Sequence, residues 1–126
     1  HNTLTSIFDD YLNKKTISIF GNGRHKRGYI FHSDLNKAIG KIILTKKEKG
    51  LNILNIPSVK ANSLEISSHI SKKLGKQKKI SFIESSKSFT LTSNTKKFEK
   101  KYNFSNQYDL KKIIEKYTEA NKWRLQ

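Results

Sequence analysis

The stretch at residues 17–35, which reads ISIFGNGRHKRGYIFHSDL, carries the strongest structural signals in the chain. Its β-branched and aromatic start predicts a short strand that stops at Gly21-Asn22-Gly23. Residues 29–32 read as a second strand, and Asp34 then predicts the N-cap of a helix. This order places a fixed arginine at the mouth of an α/β layer. Such an arrangement suits a small anionic ligand.

The remaining elements follow from the spacing of apolar residues and from helix-capping residues. Asn62 and Glu65 form the pattern of a capping box, and Gly75 ends the helix that follows. The other predicted elements are helices at residues 4–12 (entered through Thr3), 35–45 (ended by residues 46–50), 98–102 (capped by Asn94 or Thr95) and from about 108, and strands at 51–56 and 80–83. The run at 51–56 is typical of a strand covered on both faces. The order predicts one mixed α/β domain over residues 1–126, with helices packed on short strands.

The charge of the chain points toward anionic partners only weakly. The 126 residues contain 26 basic and 10 acidic side chains, a formal net charge of +16. Of the basic residues 23 are lysines, whereas arginine is favoured for recognition of phosphates and guanines. The lysines are accompanied by 11 asparagines and 15 isoleucines, residue types that share A- and T-rich codons, so base composition accounts for much of the charge. Nucleic acid is therefore not expected as the partner.

The sequence offers little chemistry of its own. It has no cysteine, and His1, His25, His32 and His69 are too scattered to read as a metal site, so no metal is expected. No window approaches the roughly 18 consecutive apolar residues of a membrane span, and no membrane partner is expected. The chain also begins without Met and without a leader, which predicts a piece excised from a longer protein. None of these observations supports an enzyme that acts on its own.

Four segments together form a larger pattern: residues 17–35, Leu54-Asn55-Ile56, residues 62–66 and residues 94–104. The first resembles the apolar-x-apolar-(Phe/Tyr)-Gly-x-Gly-x-x-x-Arg motif of the extended short-chain dehydrogenases/reductases, the NAD-dependent epimerases and dehydratases of nucleotide sugars. The others resemble the Tyr-Asn-Ile-Gly strand, the Ser-Ile-x-Glu-Leu helix start and the Asp-Thr-Ser-Lys…Leu-Gly-Trp segment of that family. They occur in the family's order and span almost the whole chain.

The resemblance implies phosphate-binding roles for three positions. Arg27 looks like the arginine that contacts the diphosphate of the nucleotide sugar, although a solvated loop cation is the alternative. Lys87 stands near the place of a second phosphate-binding arginine, and as a point charge it would hold a phosphate less directionally. Leu4 lies at the start of a helix whose first amides face the diphosphate in the family, a use of free N–H groups known from helix N-termini.

Three further positions match residues that meet the nucleoside in the family. Ser18 and Phe20 fall on the strand whose backbone meets the nucleobase, and a plain edge strand is the alternative. Asn94 stands where an aspartate often meets the ribose, and a helix cap is the alternative. The chain departs from the family at Gly28 and Pro57, which leaves the subfamily open.

The family's Gly-x-x-Gly-x-x-Gly cofactor loop and its catalytic Tyr-x-x-x-Lys are absent, and Tyr108 with Lys112 lies too late in the chain to replace the latter. The resemblance therefore implies a small C-terminal substrate-binding domain without its Rossmann half and without catalytic residues. The missing half would bind NAD or NADP and carry the reversible oxidation of a sugar carbon. The implied partners are a nucleotide-diphosphate sugar and that half, in the cytoplasm. The sugar, the reaction outcome and homo-oligomerisation stay open.

Two other interpretations remain. A small basic module could bind nucleic acid or an acidic partner through Lys72, Lys73, Lys76, Lys78 and Lys79, although no aromatic residues interleave with these lysines as in a stacking platform. A degenerate relative of the enzymes, retained as a scaffold, would carry the same motifs.

Overall fold

Helices and short strands alternate along the chain in the computed structural model, which describes residues 2–45, 50–85 and 89–125. Within these ranges the elements are α1 Thr3–Asn13, β1 Thr16–Phe20, β2 Arg27–Tyr29, α2 His32–Leu44, β3 Val59–Ala61, α3 Ser63–Leu74, β4 Lys79–Ile83, α4 Lys96–Tyr102, α5 Leu110–Ala120 and a 3-10 turn at Lys122–Arg124. The predicted mixed α/β class is confirmed. The helices and strands follow one another as predicted, except that the third strand does not lie at residues 51–56. The predicted end of α2 at residues 46–49 lies outside the described residues.

The strands form two small pairs. β1 and β4 are parallel, with Thr16 opposite Lys79 and Phe20 opposite Ile83. β2 and β3 are antiparallel, with Arg27 opposite Ala61. Because β1 and β4 are parallel, the turn that follows β1 and the segment that follows β4 leave the same edge of the pair. This shared carboxyl edge is where a pocket forms.

The main core lies between α1, α3, α5 and β1. Its largest buried side chains include Phe8, Ile17, Ile66 and Ile114, and Phe8 meets the ring of Tyr117 edge-on with ring centroids 5.1 Å apart. Each such side chain contributes about 1.5–3 kcal/mol when it leaves water, so these few residues hold the three helices on the strand.

Helix α3 begins and ends at the residues that the sequence predicts. The Glu65 N–H donates to Asn62 Oδ1 at 2.8 Å, and the Asn62 N–H donates to Glu65 Oε2 at 2.8 Å, which completes the capping box. Gly75 closes the helix in the left-handed conformation at φ 63°. Helix α1, by contrast, takes Asn2 as its N-cap, and Thr3 is its first helical residue.

The boundary between β2 and α2 differs from the prediction. β2 ends at Tyr29 and α2 begins at His32, so His32 is helical and Phe31 is the N-cap. Asp34 lies in the first helical turn, completely buried, and is not the cap. Its carboxylate accepts backbone N–H groups from the segment before α5, a partner too distant in sequence for a local capping pattern to predict.

The predicted strand at residues 51–56 is wrong. These residues form no strand, and the short strand β3 follows Pro57 instead. Leu51 is 90% exposed and Ile53 75% exposed, so the segment is not covered on both faces. An apolar run predicts burial but does not specify the partner that buries it. In the described part of the chain no strand pairs with residues 51–56.

The apolar stripe predicted on α2 is also largely uncovered. Ala38 is buried against Phe98 and Phe104, but Ile43 is 73% exposed and Leu44 88% exposed. We use the term α2 face for the exposed apolar side chains of this helix, which are Ile39, Ile42, Ile43 and Leu44.

Candidate functional site

A cleft of about 240 Å³ opens at the carboxyl edge of β1, between the start of α1, the start of α3 and β2. Hydroxyl groups and two basic side chains line one part of it, and apolar groups line the rest. The lining residues are Thr3, Ser6, Ile7, Ser18, Ile19, Phe20, Gly23, His25, Arg27, Ser63 and Ser85. Three of the six residues implied by the family resemblance, Ser18, Phe20 and Arg27, therefore lie around one cleft.

Arg27 is the first residue of β2, and its backbone is braced on two sides. It pairs with Ala61 of β3 and forms a parallel bridge with Leu91. The guanidinium carbon lies 5.9 Å from the centre of the Phe89 ring, a cation–π geometry. The side chain is exposed to solvent, so its charge is available at the cleft.

The turn after β1 closes the back of the cleft at Gly23. Its φ of +70° is the left-handed conformation that glycine adopts without strain. A Cβ at this position would lie 2.9 Å from Ile19 Cγ2 and 3.1 Å from Leu64 Cγ, so no side chain fits without movement. The Gly23 carbonyl also accepts the Leu64 N–H at 3.4 Å, which links the turn to α3.

A backbone hydrogen bond to Asp10 of α1 holds Ser18 in position. The Ser18 N–H donates to Asp10 Oδ2 at 2.8 Å, and Lys14 Nζ lies 2.8 Å from the other carboxylate oxygen. Burial raises the pKa of the Asp10 carboxyl, but the hydrogen bonds from Lys14 and Ser18 and the charge of Lys14 together hold that pKa below its ordinary value. The ionised form of Asp10 thus ties β1 to α1 directly behind the cleft.

We expect this contact to make stability depend on pH. Because the pKa of Asp10 is lower in the folded chain than in the unfolded chain, its contribution is fully present above about pH 4 and is lost as the pH falls through the folded pKa. Urea unfolding at pH 6 and at pH 3 should show this loss. Asp10→Asn, which keeps the shape and removes the charge, should lose less stability over that interval than the unmodified chain, and an equal loss would contradict the assignment.

The other implied positions are placed differently. The Leu4 N–H donates to the side chain of its own N-cap, Asn2 Oδ1, at 3.1 Å, so this amide already has a partner, and the Leu4 side chain is buried. Asn94 Oδ1 accepts the Lys96 N–H at 3.1 Å, but the N-cap of α4 is Thr95, and Asn94 does not line the cleft. Lys87 lies outside the described residues.

Sequence reasoning missed five polar residues of the cleft, namely Thr3, Ser6, His25, Ser63 and Ser85. Thr3 and Ser6 are three residues apart on α1 and therefore share a face, a spacing visible in the sequence. Ser63 follows the capping residue of α3, and His25 lies between Arg24 and Arg27. Nothing in the sequence marks Ser85, which reaches the cleft because it follows β4.

The cleft can donate hydrogen bonds and supply positive charge, a combination that suits a phosphorylated, hydroxyl-rich ligand. Across residues 2–45, 50–85 and 89–125, no three His, Asp or Glu side chains are grouped so that they could hold a metal ion. In the same ranges no helix has the length and hydropathy needed to cross a bilayer.

No protein-family model and no curated protein sequence matches this chain. Solved structures do match. UDP-glucuronic acid 4-epimerase from Bacillus cereus, in complex with UDP-glucuronic acid and NAD, superposes with a TM-score of 0.79 at 22% identity, over 90% of this chain and 37% of that one. dTDP-glucose 4,6-dehydratase from Bacillus anthracis, in complex with NAD, gives 0.75 at 19% identity, over 97% and 40%.

A third solved structure, the ADP-L-glycero-D-manno-heptose-6-epimerase of Helicobacter pylori, gives a TM-score of 0.77 at 19% identity, over 94% of this chain and 36% of that one. This chain thus spans less than half the length of each of the three proteins. At these identities the likeness establishes the fold. The chain has the fold of part of an NAD-dependent epimerase or dehydratase.

The described residues do not themselves fit NAD. A dinucleotide site of the Rossmann type needs a glycine-rich turn that leads from a strand into a helix, whose N-terminus receives the pyrophosphate. The Gly21-Asn22-Gly23 turn leads from β1 toward β2 instead, and the Gly-x-x-Gly-x-x-Gly pattern is absent from the sequence.

Proposed function

We propose that this chain is the nucleotide-sugar-binding portion of an NAD-dependent epimerase or dehydratase of the extended short-chain dehydrogenase/reductase type. The observation that carries the proposal is the meeting of Arg27, Ser18 and Phe20 at one cleft. The motif resemblance implied a substrate role for each of these residues separately. Their convergence supports that role, because it brings a guanidinium, a strand backbone and an aromatic ring to one cavity, as a nucleotide diphosphate requires.

The chemistry of the cleft fits a nucleotide diphosphate. Arg27 provides a planar cation that can hold two phosphate oxygens at once, and the hydroxyls of Thr3 and Ser63 can donate to others. Phe20, at the end of β1 and 65% exposed, offers an aromatic face of the kind on which a base can stack. The matched Bacillus cereus epimerase holds UDP-glucuronic acid, which belongs to this ligand class.

The size of the cleft supports a site shared with another part of the protein. Pockets that enclose a drug-sized ligand measure roughly 300–1,000 Å³, and a cleft of about 240 Å³ is smaller than that range. A nucleotide sugar would therefore be gripped by its diphosphate here while its remaining atoms stay uncovered. A second set of walls, supplied by a dinucleotide-binding half, would complete the enclosure.

The α2 face is the surface that we assign to contact with that half. Exposed apolar patches of this kind mark interaction sites, and the matched structures are more than twice as long as this chain. That half would bind NAD and supply the catalytic Tyr and Lys in the cytoplasm. The present chain would be inert by itself, and NAD would supply the hydride chemistry when bound to the other half.

The test is a titration of this chain with UDP, followed by NMR at the backbone amides. We expect weak binding, with shift changes concentrated at Ser18, Phe20 and Gly23. Arg27→Ala should weaken binding by about 10- to 100-fold, because a hydrogen bond to a charged group contributes roughly 1.5–3 kcal/mol.

Arg24→Ala is the matched control. Arg24 carries the same charge three residues before Arg27, is exposed and does not line the cleft, so its loss should change affinity less than twofold. Equal losses in the two variants would show that charge alone attracts the ligand. Tight binding of NAD by this chain would overturn the assignment altogether.

A further inference from the structure

A group of lysines lies at the end of the strand pair opposite to the cleft. Lys14 and Lys15 directly precede β1, Lys76 precedes β4, and Lys79 is the first residue of β4. Because β1 and β4 are parallel and Thr16 is opposite Lys79, both segments arrive at the same amino edge. The last turn of α3, which leads through Gly75 into the segment before β4, adds Lys72 and Lys73, and Lys73 lies beside Lys76. We name this surface the lysine edge, defined as Lys14, Lys15, Lys72, Lys73, Lys76 and Lys79.

One further lysine holds the two segments together. Lys78 Nζ donates to the backbone carbonyl of Asp10 at 3.2 Å and also to that of Lys14. This side chain is therefore a structural clamp between the end of α1 and the start of β4. The six residues of the lysine edge are exposed, although the ammonium group of Lys14 also pairs with the carboxylate of Asp10.

The positive charge of the lysine edge is poorly compensated. Asp10 is buried and already pairs with Lys14 at 2.8 Å. Glu119, which borders the edge from α5, pairs with Lys116 at 2.9 Å. A shallow depression of about 360 Å³ beside the edge is lined by Lys73 and Lys76 and adds Lys122 as another cation. The surface therefore offers several cations to a polyanion.

We propose that the lysine edge binds the phosphate backbone of a nucleic acid duplex without reading its sequence. Lysine suits this task, because it acts as a point charge toward phosphates and lacks the planar fork that reads bases. Base composition explains the number of lysines in the chain, but it does not explain why residues half a chain length apart gather at one edge. The folded structure, and not the composition, brings these lysines to one surface.

A membrane surface fits the same edge less well. Interfacial helices combine a basic face with an apolar face that enters the lipid. The apolar face of α3 is occupied in the core through Ile66 and Ile70, so it has nothing to insert. Anionic vesicles therefore serve as the competing outcome in the test.

The experiment measures binding of this chain to a fluorescently labelled 20-base-pair duplex by anisotropy between 50 and 200 mM salt. If about four phosphates are neutralised, the affinity should fall by roughly 100-fold over this range, since the logarithmic slope is about −0.9 per phosphate. The triple variant Lys15→Gln, Lys72→Gln and Lys76→Gln should lower the affinity at least tenfold at 100 mM salt and flatten the slope.

The control triple variant changes Lys96, Lys97 and Lys100 to Gln on α4, which are exposed and lie outside the lysine edge. This control has the same net charge as the first triple variant, and we expect its affinity for the duplex to change less than threefold. Equal losses in both variants, or no duplex binding at all, would overturn the proposal, as would binding of phosphatidylserine vesicles without binding of the duplex. The triple variant at Lys15, Lys72 and Lys76 should keep the affinity of the unmodified chain for UDP. Failure of duplex binding can therefore be distinguished from failure of the proposed nucleotide-sugar site.

Discussion

Replacing Asp34 with alanine is expected to lower the free energy of unfolding by about 3–5 kcal/mol, since two backbone amides lose a buried acceptor at once. Asp34 Oδ2 accepts the Gln107 N–H at 3.1 Å and the Tyr108 N–H at 3.0 Å. The carboxylate is completely buried, so water cannot easily replace it. This single side chain thereby joins the start of α2 to the segment that leads into α5.

Asp109→Ala is the matched control for this substitution. Asp109 also accepts a backbone N–H, from Lys112 at 2.8 Å, but it does so as the N-cap of α5 in an exposed setting. Loss of such a cap costs about 1 kcal/mol. Urea unfolding followed by circular dichroism would measure both variants. Losses of equal size would mean that neither the burial of Asp34 nor its second accepted amide adds to stability.

Gly23→Ala is expected to cost about 2–4 kcal/mol and to distort the cleft. Alanine at φ +70° is strained, and its Cβ would press on Ile19 Cγ2 at 2.9 Å and Leu64 Cγ at 3.1 Å. Relief of that contact requires the turn to move away from α3. We therefore expect the variant to lose UDP binding together with stability.

Gly75→Ala separates the two causes. Gly75 has nearly the same backbone angle, φ +63°, but a Cβ there would meet nothing within 4 Å. Its replacement should cost about 1 kcal/mol from backbone strain alone and should leave UDP binding unchanged. The difference between the two variants measures the steric contact at Gly23. Identical losses in thermal or urea unfolding would show that the contact relaxes freely.

Elements with local signals could be predicted from the sequence. Helix α3 is the clearest case, because Asn62, Glu65 and Gly75 specify both its ends through contacts within a few residues. Elements that depend on distant partners could not. Asp34 reads as an N-cap in sequence, yet its partners lie more than 70 residues away, and only the folded chain reveals them.

The same division applies to the cleft. Ser18, Phe20 and Arg27 lie within one short stretch and carry a motif, so a family resemblance identifies them from the sequence alone. Ser63 and Ser85 come from other segments and bear no motif. They reach the cleft because α3 begins beside β1 and because β4 ends at the same edge. Their positions depend on the topology of the fold, so the spacing of residues along the chain could not predict them.

The parallel pairing of β1 with β4 also determines when the cleft can exist. Each paired residue lies half the chain length from its partner, as with Thr16 and Lys79. Closing a loop of that size lowers the entropy of the chain before any strand contact has formed to offset the loss, so such pairings form slowly. The helices can begin locally, whereas Ser85 joins Ser18 only after closure. A ligand held there would therefore act mainly on the kinetics of unfolding, slowing escape from the native state while leaving the rate of folding almost unchanged.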